Sequence, residues 1–102
     1  MERLTTIDEG SNTRLMIIGE IEYDDASALT AAFETLFESN KKHIIVDFQK
    51  CSYIGSSGIG AIVKGLKDAQ KMNGSVKLTH IPPDIENILS ITRVLKHFEI
   101  LK

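Results

Sequence analysis

The feature that most restricts the fold is a run of β-branched and aromatic residues, Ile44-Ile45-Val46 continuing to Phe48, set between two stretches of helical periodicity. In the first stretch Leu29, Ala32, Phe33, Leu36 and Phe37 recur at i, i+3, i+4, i+7 and i+8. In the second, Ile59, Ile62, Val63, Leu66 and Ala69 form the apolar stripe, with Lys64, Lys67, Asp68 and Lys71 on the other side. Apolar residues at this spacing line one face of a helix. A continuous apolar strand between two such helices predicts a strand buried on both faces, as in a parallel sheet with helices on each side. Strands joined through helices need crossover connections, and these are right-handed in a parallel sheet.

The flanking segments extend this pattern. Leu4 to Ile7 and Arg14 to Ile18 read as strands joined through Glu9-Gly10-Ser11-Asn12, whose glycine and asparagine suit a hairpin turn. Asp24 or Asp25 is the expected N-cap of the first helix, and Ser39-Asn40 its stop. Asn73-Gly74 ends the second helix with residues suited to the left-handed conformation. Val76 to Ile81 alternates apolar and polar residues, as a strand does. Pro82-Pro83-Asp84 opens a third helix with inward Ile85, Ile88 and Leu89, and Phe98 to Leu101 reads as a last short strand. The predicted fold is a single α/β domain over residues 1–102, with a mixed, mainly parallel sheet of four to five strands and an N-terminal β-hairpin.

Charge and cysteine usage narrow the function. A formal net charge of −2, with lysine and arginine scattered, leaves no footprint for nucleic acid. A single cysteine, Cys51, excludes an internal disulfide and has no His or second Cys at ligand spacing, so neither a metal site nor thiol chemistry is expected. The opening Met-Glu-Arg-Leu-Thr lacks the apolar core of a signal peptide, and no apolar run approaches the roughly 20 residues that span a bilayer. A cytoplasmic location without membrane contact is the expectation.

The most informative segment is Cys51 to Gly60, where three glycines and three serines fall within ten residues between the buried strand and the second helix. In open α/β sheets, ligand and partner sites lie at the carboxyl ends of the strands. Enzymatic readings of this loop fail on spacing. Gly55 and Gly60 are followed by Ala61-Ile62 where a phosphate-binding loop needs Lys and Ser or Thr. A nucleophile elbow begun at Gly55 would meet Ile59 where glycine is required. His43, His80 and His97 are isolated. A plain reading makes Ser56 or Ser57 the helix N-cap, worth about 1 kcal/mol. The functional reading uses the same physics. A phosphoryl group on a serine at a helix N-terminus meets unpaired N–H donors and the positive dipole end, and it adds about −1.5 to −2 charge.

These residues resemble a known family. Gly19-Glu20-Ile21-Glu22, Ile-Ile-Val-Asp-Phe at 44–48 and Ser-Tyr-Ile-Gly-Ser-Ser-Gly-Ile-Gly at 52–60 look like STAS domains of the anti-sigma factor antagonist type. The resemblance runs from about residue 14 to residue 101. It implies partner switching. The unphosphorylated domain binds an anti-sigma factor that is itself a GHKL-type serine kinase and so frees a sigma factor. Phosphorylation ends binding, and a PP2C-type phosphatase resets the domain. On this resemblance Ser56 is the phosphoacceptor, with Ser57 the alternative. Glu22, Tyr23, Asp24, Ile54, Gly55, Ser57, Gly58 and Ile59 match the kinase-facing surface. ATP belongs to the partner, so no cofactor, catalytic residue or metal is implied for this chain.

Two positions depart from the family pattern. Gly55 replaces the usual aspartate before the phosphorylated serine, and Glu22 replaces an aspartate before the first helix. The sequence also stops at Lys102, where many relatives continue into another helix. The rival reading is a STAS subunit, never phosphorylated, of a larger assembly such as a lipid-transport ATPase or a sensory complex. Glu20, Glu22, Asp24 and Asp25 are read as an acidic loop for partner contact, with Mg²⁺ as an alternative. Tyr53 and Ile54 are either core or an exposed contact. Gly58, Ala61 and Gly65 form a narrow face suited to close packing or to docking.

Overall fold

The computed structural model describes residues 3–91, 93 and 95–101. Met1 and Glu2, at the head of the segment read as lacking a signal core, and Lys102 lie outside the described residues. The element order is β1 (Leu4–Glu9), β2 (Asn12–Ile21), α1 (Tyr23–Glu38), β3 (His43–Ile54), α2 (Ser56–Lys71), β4 (Ser75–Thr79), α3 (Pro83–Ile91), a 3-10 turn (Leu95–His97) and β5 (Glu99–Leu101). The five strands lie side by side in the order β1-β2-β3-β4-β5, with β1 antiparallel to β2 and every later pair parallel. Gly10, at φ +81°, turns the expected hairpin.

The strand order corrects one expectation. Because β2 to β5 follow one another in a single direction, right-handed crossovers put α1, α2 and α3 on the same face of the sheet. Ile44, Val46 and Phe48 of β3 point to that face and are at most 1% exposed. The opposite face has no helical cover. It carries Arg14, Asp47, Lys77 and Glu99, with Lys77 and Glu99 paired across β4 and β5. β3 is nonetheless buried on this side as well, since Ile45 is 7% and Asp47 3% exposed. Neighbouring strands and their long polar side chains provide the cover that helices were expected to give.

Asp47 shows how a charge persists there. Its carboxylate accepts from Arg14 Nη1 at 2.9 Å and the Gln49 N–H at 2.9 Å, and lies 3.0 Å from His80 Nδ1. Burial alone would raise its pKa, but the hydrogen bonds from Gln49, His80 and Arg14 together outweigh burial and hold the carboxyl below the usual aspartate range.

On the covered face one core joins all the layers. The α2 helix approaches its neighbours through small residues. A Cβ at Gly65 would stand 2.9 Å from three ring atoms of Phe33 on α1, and one at Gly58 would stand 2.7 Å from Ile54 Cγ1. The narrow face of Gly58, Ala61 and Gly65 is therefore a packing face, against α1 as well as the sheet, and not a docking groove.

Candidate functional site

The site forms where β2 and β3 end together. Their parallel register pairs Ile21 with Ile54, and the Gly55 N–H donates to the Ile21 carbonyl at 2.9 Å. A bulge helps to set this end. The β2–β3 register shifts between Gly19 and Glu20, and Gly19 takes φ +77°, a conformation glycine adopts without Cβ strain. The β2–α1 junction and the β3–α2 junction thus sit side by side. Glu22, Tyr23 and Asp24 from one, with Tyr53, Gly55, Ser56 and Ser57 from the other, line an open hollow of about 490 Å³.

The N-terminus of α2 differs from expectation in one respect. The N-cap is Gly55, which has no side chain to cap with, and Ser56 and Ser57 are the first two helical residues. Neither serine caps the helix. The first-turn amides of a helix have no intrahelical partner, so this end offers N–H donors beside the hydroxyls. Ser56 is exposed and Ser57 half-buried. At the start of α1 the N-cap is Glu22, and Asp25 stands three residues into the helix. Asp25 accepts from the Glu22 N–H at 3.0 Å and from Arg3 Nη1 at 2.8 Å. The same Arg3 nitrogen donates to the Glu20 carbonyl at 2.9 Å. Asp25 is thus tied up structurally in a reciprocal capping box with Glu22, and Glu22 and Asp24 line the hollow.

Three expected contact residues prove to be inside. Ile54 is 1% exposed and Ile59 7%, and Gly58 is buried beneath Ile54 and Ile21. The cause is the β3 pleat. Strand character continues through Cys51–Ile54, a stretch read from sequence as loop, and directs Ile54 to the helical face. Tyr53 consequently points outward and is 46% exposed, and Tyr23 is 81% exposed. Of the pair left open in the sequence, Ile54 is core and Tyr53 is surface. Buried Cys51 donates its S–H to the Tyr53 carbonyl at 3.4 Å, and burial pushes its thiol pKa up.

Gly55 is not there to satisfy the backbone. Its φ of −81° and ψ of 174° suit any residue, and a Cβ would meet only ordinary contacts, the nearest being Tyr53 Oη at 3.6 Å. An aspartate would fit. The absence of a carboxylate beside Ser56 is thus a chemical property of the site, not a demand of the fold.

A second hollow, of about 540 Å³, lies on the other side of Ser56, walled by Ile59, Val63 and Ile88 with Gly60 between them. Sequence reading missed it. Its signal was present as Ser56, Gly60 and Val63 at i, i+4 and i+7, but what α3 places opposite them is a tertiary fact. Among the described residues no group of three or more His, Cys, Asp or Glu side chains converges to hold a metal, and no helix is long and apolar enough to cross a membrane.

Comparisons with known proteins agree with the fold. TM1081 of Thermotoga maritima, described as a candidate anti-sigma factor antagonist, superposes with a TM-score of 0.90 at 20% identity, over 97% of this chain and 86% of its own. The Bacillus cell fate determinant SpoIIAA in its phosphorylated form gives 0.77 at 15% identity, over 97% and 91%. An anti-sigma factor antagonist from Mycobacterium paratuberculosis gives 0.84 at 18% identity, over 95% and 82%. The STAS domain sequence profile matches residues 4–102, and on that match the chain belongs to the STAS domain family.

Proposed function

We propose that this domain is an anti-sigma factor antagonist and not an enzyme. Unphosphorylated, it binds an anti-sigma factor and releases a sigma factor, and phosphorylation of Ser56 ends that binding. The observation that carries the reading is the position of Ser56. It is exposed in the first turn of α2 and shared by two hollows that flank the helix end. A phosphoryl group at this point would meet the first-turn amides, an attraction of about 0.5–2 kcal/mol. It would also face Glu22 and Asp24 across the first hollow. The modification therefore changes the charge and shape of a surface while leaving the core alone. Glu22, Tyr23, Asp24, Gly55 and Ser57 form the contact surface around it, joined by Tyr53. Ile54, Gly58 and Ile59 act from beneath, by holding α2 close to the strand ends.

The partner on this reading is a cytoplasmic GHKL-type serine kinase that brings its own ATP, with a PP2C-type phosphatase to reverse the step. The test is incubation with the cognate kinase and ATP, followed by peptide mass spectrometry and a binding measurement. Phosphate on Ser56 with loss of binding is the expected result. A fully bound complex carrying phosphate at Ser56 would refute the switch. The Gly55 observation favours a second reading, a STAS subunit that stays unphosphorylated inside a larger assembly. Absence of phosphate from both Ser56 and Ser57 under those conditions would select it.

A further inference from the structure

The apolar hollow beside Ser56 does not end at Val63. The same residue begins another hollow, of about 490 Å³, formed by Leu66, Lys67 and Gln70 of α2 against Arg93, Lys96 and His97 beyond α3. Ser56, Gly60, Val63, Lys67 and Gln70 recur at i, i+4, i+7, i+11 and i+14, which is one stripe along a helix. At 1.5 Å per residue the stripe is about 21 Å long. Sharing Val63, the two hollows make one open groove between α2 and α3 with the residues that follow α3, apolar at the Ser56 end and cationic at the other.

The cationic end stands out against the rest of the molecule. The protein carries a net charge of −2, yet Lys67, Arg93 and Lys96 converge beside His97 with no carboxylate among the lining residues. Among the described residues none of these three cations forms an ion pair, whereas Lys64, one turn away on the same helix, is matched to Asp68 at 2.8 Å. Charge complementarity therefore calls for an anionic occupant. The shape argues against a small amphiphile. A bound small molecule normally has most of its surface enclosed, and this groove lies open along its length. A polypeptide segment covers such a groove while keeping its own outer side in water.

We infer that this groove receives an acidic amphipathic segment of the partner protein, with apolar side chains over Gly60 and Val63 and carboxylates over Lys67, Arg93 and Lys96. The inference rests on the proposed function for the partner's identity but not for the segment's chemistry. It also gives phosphorylation a second point of action. Ser56 lines the apolar end of the groove, so a phosphoryl group there would repel an acidic segment and wet its apolar half.

The test is an NMR titration of the full ¹⁵N-labelled chain with a synthetic amphipathic peptide carrying leucines in one half and glutamates in the other. Controls are the same peptide with lysine in place of glutamate, decanoate, and inorganic phosphate. The acidic peptide should shift the amides of Gly60, Val63, Lys67 and Lys96. Lys67→Glu with Lys96→Glu should weaken it about tenfold or more, with Lys67→Glu alone as the second variant should the pair unfold. Equal binding of acidic and basic peptides would overturn the inference. So would a silent acidic peptide, or decanoate or phosphate producing the shifts in its place. A peptide that binds while the kinase leaves Ser56 unmodified keeps the groove and removes the switch, so the two failures are distinguishable.

Discussion

Gly58 and Gly60 lie two residues apart on α2, and the same change to alanine should move stability in opposite directions. At Gly58 the new methyl would meet Ile54 Cγ1 at 2.7 Å, with Ile54 Cδ1 and Ile21 Cγ2 at 3.0 Å. Carbon pairs prefer about 3.5–4.0 Å, so the helix must retreat by roughly 0.5–1 Å. Neither isoleucine has space to yield, being 1% and 0% exposed. Overpacking of this kind costs about 1–3 kcal/mol. Alanine's better helix propensity returns up to about 1 kcal/mol, and less in a first turn. The net loss is about 1–2 kcal/mol, or roughly 4–16 °C in Tm for a domain of this size. At Gly60 no atom lies within 4 Å of the added carbon, so only the propensity gain remains, and the variant should melt a few degrees higher. Thermal and urea unfolding followed by circular dichroism measure both. Should Gly58→Ala stabilise the protein as Gly60→Ala does, α2 does not pack as described and the seating of Ser56 must be rethought.

Gly55→Asp should fit the existing backbone and raise stability by a few tenths of a kcal/mol, read as a small rise in the urea midpoint, because a carboxylate then caps α2. A lower midpoint would mean that the glycine serves the fold after all. Asp47→Asn should cost about 1–3 kcal/mol near pH 7, by removing the buried carboxylate that faces Arg14 and His80, with Arg14 keeping only its pair to Glu9. Since the folded-state pKa of Asp47 is depressed, its contribution is present above the unfolded value near 4 and fades as pH falls through the folded one. The gap between wild type and Asp47→Asn in urea titrations should therefore close in acid, and a constant gap would rule out the charge as its cause. Ser56→Asp should weaken partner binding while Tm stays within a few degrees, and Ser56→Ala should stay competent to bind. Neutral Ser56→Gln separates charge from bulk in the same binding assay, and a loss equal to that of Ser56→Asp would discard charge gating.

The order of elements was legible because each rests on a local period. The stripe from Leu29 to Phe37 fixes α1, and the run from Ile44 to Phe48 fixes the centre of the sheet. What escaped was set by partners distant in sequence. The extension of β3 to Ile54 depends on pairing with Gly19, Glu20 and Ile21 across a bulge, which no local pattern announces. The cover on both faces of β3 looked like two helical layers, because burial by an Arg14–Asp47 pair resembles burial by a helix when only the strand is visible. Capping residues were misplaced by one to three positions for a similar reason. Asp24, Asp25, Ser56 and Ser57 are all good caps, yet the positions fell to Glu22 and Gly55, where the strand ends force the chain to turn. The place of Ser56 at the start of α2 was legible, since the glycine-serine turn and the helical stripe after it are both local patterns, but its neighbours Glu22, Asp24 and Ile88 were not.

The placement of Ser56 follows from the order of the sheet. Strands added in one direction send every helix to one side, and each helix begins at the same edge, where its strand stops. The α2 helix is the middle one, so its first residue has the β2–α1 junction on one side and α3 on the other. A residue at the start of α1 or α3 has such a neighbour on one side only. A single charge placed at Ser56 is therefore felt in both hollows. The Gly55–Ile21 hydrogen bond and the Gly58 contact with Ile54 hold the position against the added charge. Signalling by surface alteration, without rearrangement of the core, is what this geometry permits.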